Sequence, residues 1–347
     1  MDNIKFIDVH HHILPKVYRD GLKEVGIDKS GGKPFREWEP EDSLELMERQ
    51  DIETAICSIS EPAVYPVHYI DPEKARTLAR RTNEAMAEII AKYPGRFGAF
   101  AVLPLPDVEG ALKEMEYALD VLKLDGVGFV SNYRDEYLGN TVFDEIFDEM
   151  QKRKAAGYVH PSVPPAGFVR PQFTPLDYFE EFTFCTTRAA TNLILSGTME
   201  RCPDIKLFFS HMGGVFPYLR WRLTACTAAA VENPALPLKP EHRKAYESLK
   251  KPFYEYMSQY YYDIALASHD IAYNALEIIN PHHICYGSDA FFATPWLSEY
   301  GKEGLLRRYG NDREKYYAIA RGNAEKVFPR FAKKAQQVFP LGGGFDK

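Results

Sequence analysis

Short runs of apolar residues recur along this chain, and most are followed by a stretch in which apolar positions return every three or four residues. The short runs suit buried strands, because a strand covered on both faces reads as nearly continuous apolar sequence. Eight strands are predicted, over 5–9, 54–59, 97–103, 126–130, 156–160, 206–210, 260–264 and 284–287. Amphipathic helices are predicted between most of them, over 40–50, 72–93, 108–122, 142–154, 178–201 and 269–279. Alternation of this kind implies a parallel sheet, and eight units imply an α/β fold of the closed (β/α)8 TIM barrel type. Two stretches break the pattern. Residues 13–39 are polar, Gly-rich and aperiodic, and residues 223–259 hold two proline-punctuated pieces before a helix-like run. Both follow strand ends and are expected as loop excursions at the C-terminal face. A helical pattern covers 311–331, and 341–347 is expected to be a mobile tail. The expected organisation is a single barrel domain over 1–340 with an insertion at about 13–39.

Composition narrows the function classes. The 347 residues are enough for a large core, and the net charge of −7 is spread without long runs of one sign. No basic stripe is present, so no nucleic-acid partner is expected. No apolar stretch approaches the roughly 20 residues of a membrane helix, and the first strand begins almost at once, so neither a membrane span nor a secretory signal is expected. The five cysteines (Cys57, Cys185, Cys202, Cys226 and Cys285) form no CxxC pair. They are expected as reduced thiols in a cytoplasmic protein. No Gly-rich phosphate or dinucleotide loop occurs, so no organic cofactor is expected. Gly213-Gly214 is read instead as a point of close backbone approach.

The candidate chemistry falls at strand ends. His10-His11-His12 closes the first apolar run, His160 ends the fifth strand, His211 follows the sixth and Asp289 follows the eighth. Barrel active sites lie at the C-terminal ends of strands. Side chains alternate along a strand, so His10 and His12 are expected on one face, with Asp8 below them and His11 turned away as a packed or hydrogen-bonded support. A single histidine at a strand end is more often structural than a ligand, and His68, His242, His269, His282 and His283 are read that way. Three histidine sites and an aspartate at four strand ends are harder to explain blandly. Neutral imidazoles and a carboxylate suit Zn2+, with Mn2+ also possible. Such an ion lowers the pKa of bound water or polarises a substrate oxygen, which leaves His211 for proton transfer.

These residues resemble the amidohydrolase superfamily, and more closely its aminocarboxymuconate semialdehyde decarboxylase-like branch. The resemblance rests on Asp8-Val9-His10-His11-His12-Ile13-Leu14-Pro15, Pro94-Gly95-Arg96-Phe97-Gly98, Leu103-Pro104-Leu105-Pro106-Asp107 and Val159-His160-Pro161. It continues through Ser210-His211-Met212-Gly213-Gly214-Val215-Phe216-Pro217 and Tyr286-Gly287-Ser288-Asp289. Trp38-Glu39-Pro40, Thr186-Thr187-Arg188-Ala189-Ala190 and Leu195-Ser196-Gly197-Thr198 look most similar to 6-methylsalicylate decarboxylase-like members. The resemblance implies His10, His12, His160 and Asp289 as metal ligands, with His211 and Asp289 catalytic. It implies a small carboxylate substrate held by Arg222 reaching across a homodimer; Arg188, on a helix after a Thr-rich turn, and Phe291 are further candidates for substrate binding from the residues themselves. A surface salt bridge is an equal reading of Arg222 and the plainer reading of Arg188. The chain departs from the branch at Asp289-Ala290-Phe291-Phe292-Ala293-Thr294-Pro295, where the usual proline is missing near the aspartate. Phe291, Phe292, Trp296 and Tyr260-Tyr261-Tyr262 suggest an aromatic-friendly pocket. The expected activity is metal-dependent, non-oxidative decarboxylation of a salicylate-like or related enol carboxylate. The alternative is a hydrolase or hydratase acting on a lactone, amide or unsaturated carboxylate. A non-catalytic binding protein of the same fold is disfavoured because every metal ligand of the pattern is present.

Overall fold

The computed structural model describes residues 4–267 and 270–332. His269, the expected start of one helix, and the tail over 341–347 lie outside the described residues. Eight strands form one sheet: β1 (Phe6–His12), β2 (Ile52–Ser58), β3 (Phe97–Val102), β4 (Gly126–Val130), β5 (Ala156–His160), β6 (Lys206–Phe209), β7 (Tyr261–Asp263) and β8 (Ile284–Cys285). They pair in chain order, and every pairing is parallel. The ring closes where the chain after β8 meets β1. Val9 N donates to Tyr286 O at 3.0 Å, Asp289 N to His10 O at 2.9 Å, and His12 N to Ala290 O. The fold is a (β/α)8 TIM barrel.

The barrel wall separates two cores. Inside lie Ile7, Val9, Ile56, Phe100, Tyr158, Phe208, Tyr261 and Cys285, joined by Phe328 and Phe331 from the end of the described chain. Phe208 stacks on both Tyr261 (4.7 Å between ring centres) and Phe328 (5.6 Å), so the lower interior is filled by aromatic rings. Outside, a larger cluster packs the helices onto the strands. Helix starts are well marked. Glu39 and Asp42 form a capping box ahead of the helix Pro40–Arg49, and the Asp71 carboxylate accepts from Glu73 N and Lys74 N ahead of Pro72–Lys92.

Several elements differ from expectation. The aperiodic stretch 13–39 contains a helix, Lys16–Lys23, and a small hairpin pairing Lys29–Ser30 with Lys33–Pro34. Only Tyr18, Arg19 and Leu22 of that helix are buried, too few positions to register as a period. The helix expected over 178–201 is two, Glu181–Leu195 and Thr198–Arg201, divided by Gly197 at φ +81°. The helix Pro295–Tyr309 was not predicted. Its buried positions include Ser298, Gly301 and Gly304, which pack closely without making an apolar stripe. The excursion at 223–259 proves to be helical, with Arg220–Glu232, Pro240–Glu247 and Phe253–Met257. No helix among the described residues is long and apolar enough to cross a membrane.

Candidate metal centre

Between Asp8 and His11, β1 carries an extra residue relative to β2, after an opposite slip between Phe6 and Ile7. Asp8 pairs with Ala55 and His11 with Cys57, so three steps on β1 match two on its neighbour. This bulge resets the alternation. Ile7 and Val9 face the barrel interior below it, and His10 and His12 face the interior above it. The expectation that Asp8 shares their face is therefore corrected: Asp8 turns to the other side of the strand. There its carboxylate accepts from His10 N (3.0 Å), His11 Nδ1 (2.9 Å), Ser288 N (3.0 Å) and Ser288 Oγ (2.5 Å). Trp38 Nε1 donates to Ser43 Oγ at 3.1 Å, and Ser43 Oγ lies 2.9 Å from His11 Nε2. This chain of donors assigns the His11 proton to Nδ1 and makes His11 the support it was expected to be.

One ligand atom each from His10, His12, His160 and Asp289 gathers within 4.8 Å, and all four residues are buried. His10 Nε2 is 3.0 Å from His12 Nε2 and 3.2 Å from Asp289 Oδ1, and His12 Nε2 is 2.8 Å from that oxygen. These spacings fit the edges around one divalent ion, since ligands at about 2.1 Å from a metal and at right angles lie about 3.0 Å apart. The outer nitrogens are also suited. His160 Nδ1 lies 2.8 Å from Pro161 O and donates to it, which leaves Nε2 to the centre. His10 Nδ1 lies 3.1 Å from Asp263 Oδ2.

Asp263, at the end of β7, is a candidate positioning residue that sequence reasoning missed. Its buried carboxylate also accepts from Tyr158 Oη (2.9 Å), His211 N (3.1 Å) and Ala265 N (3.0 Å). It thereby ties His10, one of the candidate ligands, to the backbone of His211. The available signal was its position, one acidic residue closing an aromatic strand. Burial opposes charge on His10, but Asp263 and Asp289 outweigh it and raise the imidazole to about 10. Burial pushes His12 down to about 4. Burial, reinforced by the neighbouring His12, holds His160 well below the ordinary histidine range. Burial works against the charged form of Asp289 too, yet His10 and the other histidines keep it well below the usual carboxylate range.

His211 stands beside these four residues. Its Nε2 is 3.4 Å from Asp289 Oδ2. Both residues sit in left-handed backbone, at φ +52° and +58°, a conformation uncommon outside glycine that His and Asp adopt more readily than most and that recurs at functional sites. Close approach behind His211 is achieved by Gly214, where a Cβ would lie 2.2 Å from Thr183 O. Above the centre opens a cavity of about 460 Å³ lined by His160, His211 and Asp289 with Phe182, Leu266 and Phe292. Phe291 stands aside from it, edge-on to His11 and beneath the Arg36 guanidinium. The structure does not bring the two predicted arginines to this cavity. Arg188 is exposed on the far side of its helix, beside Phe184, and Arg222 is exposed on the helix Arg220–Glu232. The tyrosines 260–262 are buried in the two cores, and Trp296 is exposed.

Known proteins resemble this chain in sequence and in fold. A decarboxylase of Aspergillus niger, yanB, is 34% identical over 95% of this chain and 89% of its own. The 6-methylsalicylic acid decarboxylase of Penicillium expansum is 32% identical over 93% of this chain and 96% of its own. The crystal structure of the 5-carboxyvanillate decarboxylase of Novosphingobium aromaticivorans, complexed with manganese, superposes with a TM-score of 0.80 at 22% identity, covering 94% of this chain and 96% of that one. The family model for amidohydrolases matches residues 7–330, from the strand that carries His10 and His12 to the aromatic plug of the barrel. The chain belongs to the amidohydrolase family, among relatives that are decarboxylases.

Proposed function

We propose that the protein is a metal-dependent, non-oxidative decarboxylase of a hydroxy-aromatic acid of the salicylate type. The observation that carries this reading is the four-ligand centre beneath an apolar cavity of aromatic size, in a chain whose relatives over nearly its whole length are decarboxylases. His10, His12, His160 and Asp289 would hold a divalent ion, Zn2+ or Mn2+, which would supply positive charge to stabilise the substrate's oxygens as charge develops on them. Asp289 delivers a proton to the ring carbon bearing the carboxylate. His211, within reach of Asp289 Oδ2, orients that carboxylate and passes it the proton. The carbon–carbon bond then breaks, CO2 leaves, and its electron pair restores the aromatic ring. Phe182 and Phe292 supply faces for that ring.

Homodimer formation is part of the same proposal. Around Arg222, Tyr218 and Trp221 are 84% and 74% exposed, and the helix Arg220–Glu232 buries only Ala230. An apolar face of this kind suits a second copy. Sedimentation velocity is expected to give a dimer that Trp221→Glu weakens; a monomeric wild type would remove this part. Five free cysteines, four of them buried, fit the reducing cytoplasm.

The direct test offers metal-loaded protein a panel of ortho-hydroxyaryl carboxylates, 6-methylsalicylate included, and measures CO2. Release that stops on chelation, and that falls at least about a hundredfold in His211→Ala with metal still bound, is expected. A metal-loaded protein that releases no CO2 from any of them would overturn the reading.

A further inference from the structure

We propose that Lys33, carried over the barrel mouth by the small hairpin, is the group that recognises the substrate's carboxylate. The proposal rests on the decarboxylase reading and names a contact within it. The cavity wall is largely apolar, with Phe182, Val215, Leu266, Phe292 and Leu297. Such a wall suits an aromatic ring and penalises an anionic oxygen that the metal does not cover, unless a cation meets it. Arg188 and Arg222 are turned elsewhere. Among the described residues that line the cavity, Lys33 is the one lysine or arginine.

Its surroundings leave it available. The half-buried ammonium donates to Phe292 O at 2.9 Å and lies 4.3 Å from the centre of the Tyr178 ring. An ammonium has three N–H donors, and the carbonyl takes one. The Tyr178 face offsets its charge without neutralising it. Lys33 makes no ion pair with a carboxylate among the described residues. Lys33 lines the same cavity as His160, His211 and Asp289, and Phe292, whose carbonyl it holds, packs its ring 4.9 Å from that of His12.

The hairpin is also anchored. Ser30 Oγ donates to Glu61 Oε2 at 2.6 Å, and Gly31 N donates to the same oxygen at 3.2 Å. Lys33 is therefore held over the cavity before any ligand arrives, which lowers the cost of ordering it on binding. A bound carboxylate takes up the free N–H donors as a charge-assisted pair.

Calorimetry on the metal-loaded full chain tests this with a matched pair, salicylate and neutral salicylamide. Lys33→Met keeps the aliphatic stem over Tyr178 and removes the charge. It is expected to weaken salicylate binding by about tenfold or more while changing salicylamide by less than about twofold, and Lys33→Arg should restore most of the loss. Equal weakening of both ligands would show Lys33 to be only a pin between hairpin and Phe292, and would overturn the proposal. So would unchanged salicylate affinity, or a wild type that does not bind salicylate. Binding needs no turnover, so a protein that binds through Lys33 yet releases no CO2 overturns the decarboxylase reading alone.

Discussion

At the scale of single residues, the centre is governed by where protons sit. His10 lies between two carboxylates, Asp263 on Nδ1 and Asp289 on Nε2, and these hold a proton on it up to about pH 10. His12 and His160 are neutral at physiological pH for the opposite reason, burial. A metal can use only deprotonated ligands, so near neutral pH it must displace one proton, the one on His10 Nε2. Metal affinity is therefore expected to rise about tenfold per pH unit between roughly pH 6 and pH 9, and to do so while about one proton is released per ion. Calorimetry of metal binding in buffers of different ionisation enthalpy measures that proton directly. Binding without proton release at pH 7 would mean that His10 is already neutral there. Asp263→Asn should reduce both the proton released and the affinity, because it removes one of the two charges that hold His10 protonated and the acceptor that orients it. The missed residue, Asp263, thus bears on the metal without belonging to the set of four.

At the scale of elements, the histidine triplet was legible and the bulge beneath it was not. Apolar run and histidines together announced a strand ending at a site, but nothing in Asp8-Val9-His10 marks the extra residue that turns Asp8 outward. A bulge arises from pairing with β2, and pairing is not local information. The same limit applies to Arg188, whose helix was found while the face it presents was not, and to Pro295–Tyr309, whose buried side is made of small residues. The hairpin in 13–39 was hidden because its strands are two residues each; what holds it is Glu61, far along the chain. That carboxyl is buried, and burial, only partly countered by Ser30 and Gly31, raises it to about 7 from an ordinary 4.5. The folded state therefore keeps a proton that the unfolded state gives up first. The associated stability is fully present below pH 4.5, falls as pH rises, and is gone above about 7. Glu61→Gln cannot titrate. Between about pH 4 and pH 8 the wild type is expected to lose roughly 3 kcal/mol relative to this variant, measured by urea unfolding at a series of pH values. Parallel pH profiles would place the Glu61 carboxyl in water in the folded protein.

At the scale of the whole molecule, the barrel divides its two ends between stability and chemistry. The upper end is a polar centre with backbone strain at His211 and Asp289. The lower end is a stack of rings closed by Phe328, which packs on Phe208 and meets Phe100 edge-on at 5.8 Å. One physical path joins them: Phe100 stacks on Tyr158 at 5.2 Å, and Tyr158 donates to Asp263. Removing the plug tests whether that path matters. Phe328→Ala leaves a hole among buried rings, and truncations of this type cost about 3–5 kcal/mol. Transmission to the centre is expected to be weak. Asp263 keeps its bonds from His211 N and Ala265 N, both made in the upper half, whatever Tyr158 does. The variant should therefore unfold at markedly lower denaturant concentration while binding the same amount of metal with affinity within about twofold of wild type, because distant sites without shared partners act nearly independently. A folded Phe328→Ala protein with strongly weakened metal binding would give the opposite answer. The aromatic interior would then be part of what aims His10, and the floor of the site would extend to the far end of the barrel.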